Sequence, residues 1–160
     1  MVGRKFALLF VMFLISSNFV YAQEERLHEQ NTLYHYKEGI KAELSNNLPI
    51  AYENFQKTLL LAPHDPDWRK CALNGMGVVY ARQGDLDNAE LYFNEVLKID
   101  PDYKIAEINL GFVYEQKGMS KLECLEYWAK VFELDRLKPK TFVLDQTPLE
   151  VEQEKKKILK

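Results

Sequence analysis

The side chains that could do chemistry are few and widely separated in this chain of 160 residues. Three histidines, His28, His35 and His64, accompany two cysteines, Cys71 and Cys124. His28 and His35 could share one helix face, but two ligands without a third make a weak metal site. The chain has no HExxH, CxxC or GxSxG motif and no phosphate-binding glycine loop. The sequence therefore predicts no catalytic residue, no metal site and no cofactor, and we do not expect an enzyme.

The chain instead carries an internal repeat, which the second half shows most clearly. Residues recur 34 positions apart as the pairs Ala72 and Ala106, Gly77 and Gly111, Tyr80 and Tyr114, and Gly84 and Gly118. Upstream the spacing is 38, as between Gly39 and Gly77, and downstream of Gly118 it is 35. Apolar residues recur at three- and four-residue steps, which is the periodicity of helices. We therefore predict three helix-turn-helix repeats, at residues 32–65, 70–103 and 104–138.

Glycines mark two kinds of position within the repeats. Gly77 and Gly111 interrupt helical patterns, where glycine costs about 1 kcal/mol relative to alanine, so we expect a close helix–helix approach there. Gly84 and Gly118 should end helices in the left-handed conformation, and Asn46 stands at the same place in the first copy.

These motifs resemble the tetratricopeptide repeat family. The middle copy matches best, from Gly77 to Ala89 and then through Phe93 to Asp100-Pro101. The resemblance implies an all-α fold: a right-handed superhelical α-solenoid of three helix-turn-helix repeats, closed by a C-terminal capping helix. It also implies that the first helix of each repeat lines a concave face that binds a protein or peptide.

The N-terminus resembles a secretory signal peptide, assigned to residues 1–22. A basic start at residues 1–5 precedes an apolar run at 6–15, a polar break at 16–18 and a cleavage site near Ala22. An uncleaved membrane anchor is the alternative, although a spanning helix needs about 20 apolar residues. Residues 23–31 are then an N-terminal linker or helix extension. The product is expected to be exported, either periplasmic or secreted, with no membrane contact after cleavage.

The net charge, the cysteines and the C-terminal segment allow three further predictions. A net charge of -3 gives no basic surface for nucleic acid, so we expect none to bind. We predict that Cys124 is buried, that Cys71 is exposed and that no internal disulfide forms. Residues 139–160 should form a C-terminal linker and a polar capping helix, with residues 142–144 as a candidate occupant of the groove.

The groove positions implied by the resemblance are mostly apolar. They are Tyr36, Ile40, Asn74, Val78, Ala81, Ile105, Ile108 and Phe112, flanked by Arg82, Glu43 and Glu115. Some of these side chains could instead pack between repeats. The charged clamp that some family members use for a C-terminal carboxylate is absent, so an apolar or amphipathic segment is the expected ligand. We therefore interpret the protein as a non-catalytic exported scaffold or adaptor. The alternatives are a self-assembling structural repeat protein, which would be a homo-oligomer, and a membrane-anchored assembly factor of the cell envelope.

The signal-peptide hypothesis predicts a defined mature end. Intact-mass measurement of the exported protein should show Gln23 as its first residue, because cleavage follows Ala22. Full-length chain that remains in a membrane fraction after carbonate extraction would instead support the anchor.

Overall fold

The computed structural model describes residues 2–120, together with 123 and 127, and the side chains from residue 19 onward. Within this part every regular element is a helix. The helices are α1 (Val2–Leu44), α2 (Leu48–Leu61), α3 (Pro66–Gln83), α4 (Leu86–Ile99) and α5 (Lys104–Gln116). The predicted second helix of the third repeat, the capping segment 139–160 and Cys124 lie outside the described residues.

The helices form successive antiparallel pairs that stack on one another. The pair α1 and α2 contains the first predicted repeat, α3 and α4 contain the second, and α5 begins the third. Helix α3 packs against both helices of the preceding pair and against α4 and α5. It is therefore the central helix of the described array, and every residue from Cys71 to Val79 is buried.

The turns between helices follow the sequence pattern. Gly84 and Gly118 have φ values of 82° and 87°, and Asn46 has 58°, so the predicted left-handed residues are confirmed. The Asp65 carboxylate accepts hydrogen bonds from the backbone N–H groups of Asp67 and Trp68 and thereby caps the start of α3. These local signals set where α1, α3 and α5 end and where α3 begins.

Glycines bring the helices of each pair into close contact around a phenylalanine ring. A Cβ placed on Gly77 would lie 2.6 Å from the nearest Phe93 ring carbon, and one on Gly39 would lie 2.7 Å from Phe55. Gly75, in the first helix of the next pair, would meet the same Phe55 ring at 2.8 Å. The expected close approach at Gly77 is therefore confirmed.

Helix α1 is far longer than the first helix of a single repeat. It has 43 residues and continues through residues 23–31 into the first repeat without a break. Within the described residues, no helix combines the length and apolar character needed to span a membrane. Cleavage near Ala22 and export stay predictions.

The expectation that Cys71 is exposed is wrong. Its side chain is 4% exposed and lies in the cluster formed with Tyr36, Phe55 and Trp68. The physical reason is that this side of α3 faces the preceding repeat rather than solvent.

The packing around Phe93 generates a stability prediction. Phe93→Ala should destabilise the protein by about 3–5 kcal/mol because it empties a fully buried site. Gly77→Leu should cost about 1–3 kcal/mol or more because its side chain would overlap the Phe93 ring. Chemical denaturation monitored by circular dichroism measures both losses.

The two substitutions should not be additive, since the ring removed by Phe93→Ala is the one that Gly77→Leu displaces. Leu91→Ala, on the exposed side of the same helix, is the matched control and should stay close to wild type. Wild-type midpoints for both Phe93→Ala and Gly77→Leu would show that this contact is not formed.

Candidate functional site

The eight predicted groove residues fall into two groups. Tyr36, Asn74, Val78 and Ala81 are buried in the described structure. Ile40, Ile105, Ile108 and Phe112 are partly exposed. The first group lies in the packing between helices, and only the second group offers surface to a partner.

Tyr36 is a core residue rather than a groove residue. Its ring is fully buried, with centroids 5.7 Å from both the Phe55 and Trp68 rings. The Phe55 ring comes from α2 and the Trp68 ring from α3. Tyr36 therefore helps to join the first two repeats. The expectation that its side chain lines the groove is wrong.

Asn74 makes a buried polar contact between α3 and α5. The Nδ2 group of Asn109 donates a hydrogen bond of 2.9 Å to the Oδ1 atom of Asn74, and both side chains are fully buried. Because an unpaired buried amide would be costly, this contact favours one register of α5 on α3. The sequence showed Asn109 only as a polar residue in an apolar helix pattern, and its pairing was not predicted.

Val78 and Ala81 belong to the core of the second repeat. Val78 is 1% exposed and clusters with Phe93, Leu110 and Val113. Val78 and Ala81 are therefore not available to a partner as groove residues, because α5 packs over this side of α3. This corrects their expected place in the groove.

Among the predicted groove residues, those that stay accessible lie mainly on α5. Ile105, Ile108 and Phe112 are spaced by three and four residues, so they share one face of that helix. Each is partly exposed, whereas Ala106, Leu110 and Val113 on the same helix are buried in the core. Ile40 is separate from this face, since it lies on α1 and packs partly against the first-repeat cluster.

Tyr127, a later residue of the predicted third repeat, contacts α5. The Tyr127 hydroxyl donates a hydrogen bond of 2.5 Å to the backbone carbonyl of Glu107, and its ring lies 5.5 Å from that of Tyr114. Burial raises the pKa of Tyr127, and the neighbouring Tyr114 and Glu107 raise it further. Tyr127 therefore stays protonated as a hydrogen-bond donor.

Two of the three predicted flanking charges, Glu43 and Arg82, bind each other. Glu43 is 4% exposed, and Arg82 donates through Nη1 to its carboxylate and, at 3.2 Å, to its backbone carbonyl. Nη2 of Arg82 reaches the Asn46 side-chain oxygen at 3.3 Å. This guanidinium therefore ties the end of α3 to the end of α1.

Two of the three histidines, His28 and His35, contact α2. The His28 ring nitrogen contacts the backbone carbonyl of Leu61, and His35 Nδ1 lies 3.0 Å from the Asn54 side-chain oxygen. The two rings thus contact the C-terminal end and the middle of α2. No cluster of three or more His, Cys, Asp or Glu side chains suited to a metal occurs among the described residues.

Breaking the Glu43–Arg82 pair should destabilise the array. Arg82→Met leaves the buried Glu43 carboxylate without its main partner, at a cost of about 1–3 kcal/mol, reduced by the partial exposure of Arg82. Thermal and urea unfolding measure the loss.

Adding Glu43→Gln to Arg82→Met should recover part of the loss, since a neutral amide is less costly to bury than a charge. The matched control is Lys57→Met, which breaks an exposed pair with Glu53 on α2 and should change stability little. Equal stability of Arg82→Met and Lys57→Met would contradict a structural role for the buried pair.

Comparison with known proteins agrees with this geometry. Residues 71–103 match the tetratricopeptide repeat family model. The chain is 25% identical over 130 residues to photosystem I assembly protein Ycf3 of Rippkaea orientalis, covering 73% of each chain. The protein of that name from Acaryochloris marina is 29% identical over 92 residues, covering 58% of this chain and 55% of the relative. The chain likewise spans about half the length of two photosystem I assembly proteins Ycf3 from strains of Prochlorococcus marinus.

Solved structures show the same fold. A crystal structure of MamA protein superposes with a TM-score of 0.52 at 24% identity, covering 64% of this chain and 53% of that chain. A second MamA structure gives 0.51 at 23% identity, covering 79% and 61%. Residues 71–103 are thus a tetratricopeptide repeat within an all-helical solenoid.

Proposed function

From the tetratricopeptide repeat at residues 71–103, we propose that this protein is a non-catalytic scaffold or adaptor that holds a partner protein. Solenoids of this kind present extended surfaces to their partners. The similarity to photosystem I assembly proteins supports a role in which one protein is held for assembly with others. The signal-peptide pattern of residues 1–22 adds an exported location, periplasmic or secreted, to the proposal.

The observation that carries the binding surface is the contrast between α3 and α5. Helix α3 is buried from Cys71 to Val79, so its side chains there are not available to a partner. Helix α5 keeps Ile105, Ile108 and Phe112 partly exposed along one face. Adjacent apolar side chains on a surface mark interaction sites. We therefore place the partner contact on α5, with Ile40 of α1 as a second, separate contact.

The chemistry of the face favours an amphipathic segment. Aliphatic and aromatic side chains at helical spacing suit the apolar side of a partner helix lying in a groove. Fully burying one such side chain contributes roughly 1.5–3 kcal/mol, so removing a single anchor should weaken binding about tenfold to a hundredfold. The size of this effect makes the face testable with single substitutions.

The test is capture of a partner from the native envelope fraction by wild type and by Ile108→Glu. The substitution should leave the circular dichroism spectrum unchanged and weaken capture at least tenfold, because a charge then lies at the centre of the α5 face. Leu91→Glu, at an exposed leucine of α4, is the matched control and should capture as wild type does. Normal capture by folded Ile108→Glu would show that α5 is not the working surface, and unfolding would place Ile108 in the core.

Deleting residues 139–160 tests the candidate occupant of the groove. If residues 142–144 compete for the α5 face, the deletion should raise capture, and Ile108→Glu should remove that gain. Lower capture after the deletion would instead make the tail part of the binding surface.

A further inference from the structure

Each repeat after the first stacks on its predecessor through one side of its first helix. On α3, this side contains Trp68, Cys71, Met76 and Val79, which lie in the cluster built on α1 and α2. Gly75 lies among them and leaves no room for a Cβ beside the Phe55 ring of α2. The stacking side of α3 is thus apolar and, at one point, flat.

The structure establishes which residues of α1 correspond to this side. Gly39 and Gly77 both press against the phenylalanine of their own repeat, which confirms the 38-residue spacing between the two copies. At that spacing, the counterparts of the α3 residues on α1 are Gln30 for Trp68, Leu33 for Cys71, Lys37 for Gly75, Glu38 for Met76 and Lys41 for Val79.

The corresponding side of α1 has the opposite chemistry. Lys37 and Lys41 are exposed, and Lys41 forms an ion pair with Glu38 at 3.5 Å. Leu33 is partly buried within its own repeat. Packing another repeat here would bury three charged side chains, which is unfavourable without buried partners. At Lys37, a long side chain stands where α3 has the glycine that meets the Phe55 ring.

We infer that the α1 end of the array is closed: no second copy of this chain stacks on it in the way that α3 stacks on α2. An open-ended head-to-tail assembly needs two complementary surfaces on each copy, so closing one surface prevents it. Copies of this chain therefore do not form a continuous solenoid, which disfavours the self-assembling structural protein. This inference concerns a different surface from the proposed contact on α5 and does not rest on it.

The test uses a photoreactive probe and light scattering on the full chain. Tyr34 is 60% exposed on α1 and corresponds to the buried Ala72 of α3, so p-benzoylphenylalanine at position 34 reports contacts of this side. After irradiation, the protein that carries the probe and is otherwise unchanged should give no cross-linked dimer across a hundredfold concentration range. Cross-linked dimers from position 34 would overturn the inference, whereas association without them would assign self-contact to another surface.

A face-converted variant tests the physical reason. Lys37→Gly, Glu38→Met and Lys41→Val together give α1 the residues of α3, and this variant should self-associate at least tenfold more tightly and cross-link from position 34. Glu95→Met with Lys98→Val removes an ion pair from α4 and should stay like wild type. A triple variant that folds but stays monomeric would contradict the idea that charged and long side chains prevent stacking on α1. If the triple variant does not fold, the inference is tested by cross-linking from position 34 in the protein that keeps Lys37, Glu38 and Lys41.

Discussion

The array depends on phenylalanine rings held against helix positions that have no Cβ. Phe55 is fully buried between Gly39 of its own repeat and Gly75 of the next, so one ring joins three helices. Phe93 presses against Gly77 in the second repeat in the same way. Glycine lowers helix propensity, but the close approach lets a large apolar ring leave water completely. The same contact forms a repeat and, at Phe55, joins it to its neighbour.

These contacts could be predicted because they depend on spacing along the chain. Recurrence of Gly77 and Gly84 gave the repeat length, the close approach and the helix ends, and each depends on residues within one repeat. The solvent exposure of side chains was harder to predict, because the same helix position is exposed or buried depending on which helix stacks on it. Cys71 and Val78 were expected at the surface, yet α3 is covered by the first repeat on one side and by α5 on the other. The accessible part of the site therefore reduces to α5 and Ile40.

The polar contacts between repeats were the least predictable feature. Asn74 pairs with Asn109, and Glu43 pairs with Arg82, in each case between side chains of different repeats. In neither pair do the two partners occupy equivalent positions of their repeats. Asn109, for example, corresponds at the 34-residue spacing to Gly75 rather than to Asn74. A repeat pattern describes what the copies have in common, whereas these pairs arise from how they differ. They add directional contacts to an interface that apolar packing alone would leave free to shift.

The continuous burial of α3 has a consequence for how the molecule opens. Its backbone amides lie beneath side chains from the first repeat, from α4 and from α5, so the helix cannot be exposed by the loss of one neighbour alone. Amide hydrogen exchange in α3 should therefore require separation of the whole described array, whereas α5 packs mainly on α3 and α4 among the described helices. The helix that presents the apolar face therefore has fewer described neighbours than α3, which favours its local adjustment to a partner while the rest of the fold stays closed.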